Sequence, residues 1–166
     1  MTYQIIDNFL PADVFERYQD ILLSDSGVIP MFYSATVGDE TDRDLYYFIH
    51  IFYDFFRPCS DFFDSLVIPL FQKLEADHGF KAPLKAKVNW YPSTNEIIEH
   101  KKHVDWPQKH NVCVFYVNNC NGFTRLGDDI IVESVANRAL IFDGGIHNSS
   151  TCTDANMRCS INIDFV

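Results

Sequence analysis

The sequence predicts a mainly β fold with supporting helices, a two-layer antiparallel sandwich or barrel behind a helical first half. Two observations predict it. From Leu84 onward the chain breaks into short β-favouring runs separated by turn residues, whereas before that point apolar residues recur mostly at helical spacing. Helices first and strands after, with no regular alternation between them, argue against a doubly wound parallel sheet.

The elements follow in order. Residues 3–7 (YQIID) read as a short strand. Pro11 suits a first helical turn, and Val14, Phe15, Tyr18, Ile21 and Leu22 then mark one apolar stripe at helical spacing. Residues 45–56 are dense in aromatics; because Leu45, Phe48, Ile49 and Phe52 also recur at helical spacing, a helix packed on the sheet is expected, with an aromatic wall for a substrate as the alternative. A further helix is expected from Ser60, a candidate N-cap, to Gly79, a candidate C-cap. Its buried side would be Phe62, Phe63, Leu66, Val67, Leu70, Phe71 and Leu74, and Pro69 predicts a kink or break in it. The strand-like runs are 84–91, 96–100, 111–118, 128–133, 138–143 and 159–166, separated by Pro-Ser-Thr-Asn, Asn-Gly, Gly-Asp and Gly-Gly turn signals. In 111–118 the residues Val112, Val114 and Tyr116 share one face while Cys113, Phe115 and Val117 share the other, so both faces are expected to be buried.

The 166 residues, 47% hydrophobic and 22% charged, fit one ordinary domain spanning 1–166. The formal charge is −10, and fourteen of the 23 acids precede Pro83, which disfavours nucleic-acid backbones and anionic membrane surfaces as partners. No run approaches the roughly 18 apolar residues of a membrane span, and the first ten residues lack a secretory pattern, so a cytoplasmic location is expected. The five cysteines are odd in number, lack C-x-x-C pairing and are expected to be reduced thiols, which argues against a finger-type zinc site.

Of the six histidines only His103 is followed two positions on by an acid, Asp105. On an extended segment residues two apart point to the same side and can grip one ion together. His147, after the run 138–143 and a Gly-Gly turn, is the best candidate for a third ligand, which would complete a facial triad with open positions on iron. His100 and His110 flank the motif as competitors. Eleven residues beyond His147, Arg158 and Ser160 share one face of the last predicted strand, where a guanidinium fork and a hydroxyl match a carboxylate; Tyr116 could add a phenolic donor. Trp90 and Trp106 flank the motif, and Trp106, next to Asp105, is the candidate pocket wall.

The order His103-x-Asp105, His147, Arg158-x-Ser160 resembles the 2-oxoglutarate and Fe(II)-dependent oxygenases, in particular their small prolyl-4-hydroxylase-like branch. The opening IIDNFLPADVFERY and the segment RALIFDGGIHNSS resemble the same branch, so the likeness spans nearly the whole chain. It implies a double-stranded β-helix (jelly roll, cupin-like), with iron on His103, Asp105 and His147. The C5 carboxylate of 2-oxoglutarate would lie on Arg158 and Ser160, assisted by Tyr116, with Tyr91 near the cosubstrate. Nucleic-acid repair members carry a second arginine that this chain lacks, and halogenating members lack the acidic ligand present here as Asp105, so hydroxylation is the implied chemistry. The cofactors implied are Fe(II), 2-oxoglutarate and O2, with ascorbate as reductant, and the products succinate and CO2. A protein or peptide side chain of prolyl type is the first expected substrate. A free amino acid or other small metabolite is the alternative, and a non-catalytic cupin-like metal-binding or sensing domain is the reading outside enzymology.

Overall fold

The computed structural model describes residues 1–37 and 45–166. In chain order the elements are β1 (Tyr3–Ile6), α1 (Ala12–Leu22), β2 (Phe32–Ser34), β3 (Tyr47–Asp54), β4 (Arg57–Pro58), α2 (Phe63–Leu66), α3 (Ile68–Asp77), β5 (Pro83–Pro92), β6 (Asn111–Tyr116), β7 (Cys120–Leu126), β8 (Ile130–Ser134), β9 (Arg138–Phe142), β10 (His147–Ser149) and β11 (Met157–Phe165). The larger sheet runs β1-β9-β6-β11-β5-β3-β2, with β4 paired to β3, and the smaller runs β10-β7-β8. All of these pairings are antiparallel.

Strand β6 shows why both of its faces are apolar. Val112, Val114 and Tyr116 meet Leu126 and Val132 of the smaller sheet, while Cys113 and Phe115 join the helical layer on the other side. Phe115 touches the rings of Phe9, Phe15 and Tyr18 there, with centroids 5.6 to 6.1 Å apart. Removing such a ring from a core costs about 3–5 kcal/mol. Helix α1 starts where Pro11 fixes the backbone and its carbonyl accepts the Phe15 amide, and it buries Phe15, Tyr18 and Leu22.

Pro69 does break the helix expected from Ser60 to Gly79. It has no amide hydrogen to give, so it stands in the first turn of α3, and Val67 separates α2 from α3. The Ser60 hydroxyl accepts the Phe62 amide ahead of α2, and Gly79 follows α3 at φ +69°, the left-handed conformation that favours glycine.

Three expectations are corrected. Residues 45–56 contain no helix: 47–54 form β3, which buries Phe52 in the helical core on one face and stacks Tyr47 on Tyr91 on the other. Residues 96–100 contribute only a bridge at Glu99 to Ser150, not a strand. Asn121-Gly122 is not a turn but lies inside β7, and the chain reverses before it at Asn118 and Asn119.

Candidate metal and anion site

The site occupies the space between the two sheets, and one pair of backbone hydrogen bonds assembles its centre. The His103 amide donates to the His147 carbonyl at 2.9 Å and the His147 amide donates back at 3.0 Å, so residues 44 positions apart become cross-strand partners. Asp105 returns toward both. Its Oδ1 lies 3.6 Å from His103 Nε2 and its Oδ2 3.3 Å from His147 Nε2. Two ligands at right angles, each about 2.1 Å from one ion, stand about 3.0 Å apart. The triad is therefore close to the spacing a single metal requires.

The second nitrogen of each imidazole fixes its tautomer. His103 Nδ1 faces the Lys101 carbonyl at 3.2 Å and His147 Nδ1 faces the Gly145 carbonyl at 2.9 Å. Each Nδ1 must carry the hydrogen to satisfy that acceptor, which leaves both Nε2 lone pairs for an ion. Burial works against the Asp105 charge, but the imidazoles of His103 and His147 beside it outweigh it and hold the carboxyl at about 2. Burial also pulls His103 down, and Asp105 more than offsets it, so that imidazole titrates above its ordinary value. His147 is buried more deeply and titrates below, desolvation exceeding the pull of Asp105.

Arg158 is 1% exposed on β11, and its only hydrogen bond among the described residues runs from Nη2 to Thr124 Oγ1 at 2.8 Å. Among the described residues Nε and Nη1 have no partner and no carboxylate pairs with the guanidinium. The guanidinium stands 5.4 Å from the ring centres of both Tyr91 and Tyr116. Burying a cation without an anion is costly, so this arrangement is built to receive one. Thr124 strengthens it. Its hydroxyl oxygen accepts both from Arg158 and from the Tyr116 phenol at 2.9 Å, which leaves the hydroxyl hydrogen free to donate to an anion.

Gly122 makes room for Arg158, because a Cβ there would fall 2.7 Å from Arg158 Cδ. The glycine read as a turn signal is in fact the clearance for the arginine side chain. Ser160 lines the same pocket, but its hydroxyl donates to Asn162 Oδ1 at 3.1 Å. Tyr91 lines it too, stacked on Tyr47 at 5.3 Å with a 7° tilt.

All seven residues picked from the sequence, His103, Asp105, His147, Arg158, Ser160, Tyr116 and Tyr91, thus meet in or beside one pocket. The flanking candidates do not. His110 packs against Gly144 with Nδ1 on the Gln108 carbonyl, and His100 turns Nδ1 to Ser149, so neither joins the triad. Trp90 is buried against the helices, donating to the Leu22 carbonyl. Trp106 does not wall the pocket; its indole donates to Asp164 Oδ2 at 2.9 Å, fixing the turn after Asp105 to β11. Among the pocket residues missed were Thr124, Tyr47, Lys87, Asn89 and Asn162. For Lys87 and Asn89 a signal existed: polar side chains two apart, on Tyr91's face of an otherwise apolar strand.

No family model matches the sequence, and no curated protein matches it. Solved structures do match the fold. A prolyl hydroxylase from Trichoplax adhaerens, in complex with a hypoxia inducible factor oxygen degradation domain peptide fragment, aligns at TM-score 0.65 and 17% identity over 98% of this chain and 82% of its own. An oxidoreductase of the 2OG-Fe(II) oxygenase family from Burkholderia pseudomallei aligns at 0.67 and 8% over 98% and 84%. The non-heme alpha ketoglutarate dependent epimerase SnoN from nogalamycin biosynthesis aligns at 0.65 and 11% over 99% and 78%. With two antiparallel sheets enclosing a His-Asp-His cluster, the chain has the jelly-roll fold of the prolyl hydroxylases and 2-oxoglutarate/Fe(II) oxygenases.

Proposed function

We propose that the chain is an Fe(II)- and 2-oxoglutarate-dependent dioxygenase, one domain over 1–166, that hydroxylates its substrate and releases succinate and CO2. The observation that carries this reading is Arg158, a fully buried guanidinium with two nitrogens unpartnered among the described residues, in the same pocket as a His-Asp-His cluster. A dicarboxylate that chelates a metal through its keto-acid end and offers its other carboxylate to a guanidinium satisfies both at once.

In this reading His103, Asp105 and His147 hold Fe(II), and Arg158, Thr124, Tyr116 and Ser160 receive the distal carboxylate, with Tyr91 along its flank. Bound iron, with 2-oxoglutarate and dioxygen, supplies the oxidising power, and ascorbate serves as reductant in the test tube. The protein's share is orientation. The Lys101 and Gly145 carbonyls hold each imidazole in one tautomer, and Asp105, ionised throughout the neutral range, balances part of the metal's charge. Arg158 and Thr124 fix the far end of the cosubstrate, while buried Val114 and stacked Tyr47 and Tyr91 limit water in the pocket.

Purified protein with Fe(II), ascorbate and 2-oxoglutarate should form succinate slowly even without substrate. Asp105→Ala should abolish this and weaken iron binding, whereas Asp128→Ala should do neither, since Asp128 is exposed and among the described residues meets Lys102 and Arg125 rather than the triad. Wild-type protein that holds one iron and binds 2-oxoglutarate yet forms no succinate would favour the non-catalytic sensing domain.

A further inference from the structure

The pocket holds a second cation that the proposed cosubstrate does not require. Lys87 lies on β5 in the row Lys85, Lys87, Asn89, Tyr91, and faces Asn162 of β11 across the ladder. It lines the pocket together with His103 and Asp105. Its Nζ is 3.4 Å from the Tyr47 hydroxyl and 5.7 Å from the centre of that ring. Among the described residues no carboxylate is within ion-pair distance of it; the neighbouring Lys85, by contrast, pairs with Asp54 at 3.4 Å. Its field does reach Asp105 and Asp164. A metal on Asp105 would take up that carboxylate's charge, and Lys87 would then stand beside the metal without a counter-ion.

Asn89 supplies an independent observation. It is 1% exposed, lines the same pocket, and among the described residues neither its amide nitrogen nor its amide oxygen has a partner. Leaving a buried polar group unpaired is costly, so an empty carboxamide on the same strand face as an ammonium without a counter-ion marks a place for a polar ligand. An ammonium beside amide donors selects a carboxylate. The two carboxylates of 2-oxoglutarate already have places, one on the metal and one on Arg158. The anion that Lys87 and Asn89 select therefore comes from the other reactant.

We propose that Lys87 and Asn89 hold a carboxylate of the substrate, so that the molecule oxidised is a small carboxylic acid, such as a free amino acid, rather than a residue within a peptide. A prolyl residue inside a chain has a neutral amide on each side and would leave the ammonium unpaired. The inference rests on the dioxygenase reading and narrows its substrate class.

The test is made without oxygen on the Fe(II) protein saturated with 2-oxoglutarate, by calorimetric titration with the free acids of the common amino acids and their primary amides. At least one acid should bind at least about tenfold more tightly than its amide, a difference of roughly 1.4 kcal/mol. That preference should vanish in Lys87→Met, which keeps the stem and loses the charge, and persist in Lys87→Arg. The affinity for 2-oxoglutarate itself should change less than about twofold in Lys87→Met. Equal binding of acids and amides by wild type, or no binding by any acid, overturns the proposal. So does a loss of 2-oxoglutarate affinity in Lys87→Met as large as in Arg158→Lys, because the cation would then serve the cosubstrate. Failure of wild type to bind 2-oxoglutarate at all would instead sink the dioxygenase reading.

Discussion

Gly122→Ala tests whether Arg158 is held where the anion site needs it. A Cβ at this position would lie 2.6 Å from the Thr151 carbonyl oxygen, 2.7 Å from Arg158 Cδ and 3.3 Å from Cys152 Cβ. Ordinary carbon–oxygen contacts between strands are about 3.3–3.6 Å, so something must move by roughly 0.7–1 Å. Thr151 is backbone, tied through its amide to the Ile98 carbonyl at 3.0 Å and through its carbonyl to the Ser150 hydroxyl at 2.9 Å. The arginine stem is the softer partner and gives way, but the carbonyl contact is relieved only if the backbone at Gly122 or Thr151 shifts as well. Overpacking of this kind costs about 1–3 kcal/mol, and the reduced freedom of the unfolded chain returns about 0.4–1 kcal/mol. The net loss, about 1–2 kcal/mol, should lower Tm by about 2–8 °C for a domain of this size, read by circular dichroism. Displacing the guanidinium should raise the Kd for 2-oxoglutarate at least about tenfold by calorimetry, while iron affinity stays near wild type because His103, Asp105 and His147 do not touch Gly122. Unchanged Tm with unchanged cosubstrate affinity would refute the idea that this glycine clears the path of Arg158.

Further outcomes are expected elsewhere. Arg158→Lys keeps the charge but loses the planar fork, so the Kd for 2-oxoglutarate should rise by more than about tenfold with iron binding unaltered; equal loss of iron would mean that Arg158 supports the whole fold. Asn137 adopts φ +60° and its buried carboxamide exchanges two 2.9 Å hydrogen bonds with the Leu10 backbone, so Asn137→Ala should cost about 1–3 kcal/mol in chemical denaturation, and a smaller change would show the anchor to be dispensable. The Arg125 fork holds the Glu99 carboxyl near 2, aided by Asn148 and opposed by desolvation. A carboxyl depressed by folding stabilises above its unfolded value of about 4.3 and loses that contribution as pH falls toward 2. Wild-type stability should therefore decline more steeply than that of Glu99→Gln across that window, by a modest amount because the Glu99 side chain is 38% exposed. Parallel profiles would show that the pair contributes nothing to acid stability.

Much of the candidate site is legible from the spacing of a few residues. His103 and Asp105 stand two apart, and Arg158 and Ser160 share a strand face, so an extended backbone alone orients each pair. The two-faced burial of β6 is equally plain, because the unbroken apolar run from Val112 to Tyr116 leaves no polar face. Strand β3 is not legible in this way. Covered on both faces, it loses the polar alternation of a half-exposed strand, and Phe48, Ile49 and Phe52 then mimic a helical stripe. Asn121-Gly122 misleads for another reason: the glycine answers to Arg158 and Thr151, contacts set by strands far along the chain. Thr124 likewise carries no local mark, since its role depends on which of its two faces meets Tyr116 and Arg158.

The place of β11 in the sheet has a consequence for how the molecule forms. It enters between β6 and β5, two strands that precede it in the chain, and pairs with β5 over residues 157–165 and with β6 over 160–165. Until it inserts, those two strands each present an open edge, so a chain synthesised from its amino terminus must keep both edges from pairing with other molecules. Pairings this distant in sequence also slow folding, because the loop must close before the contacts reward it. His103, Asp105 and His147 all emerge before β11, whereas Arg158 arrives with it. On the proposed assignment, a nascent chain can assemble its metal ligands before it can recognise a cosubstrate, and insertion of this strand is the step that joins the two.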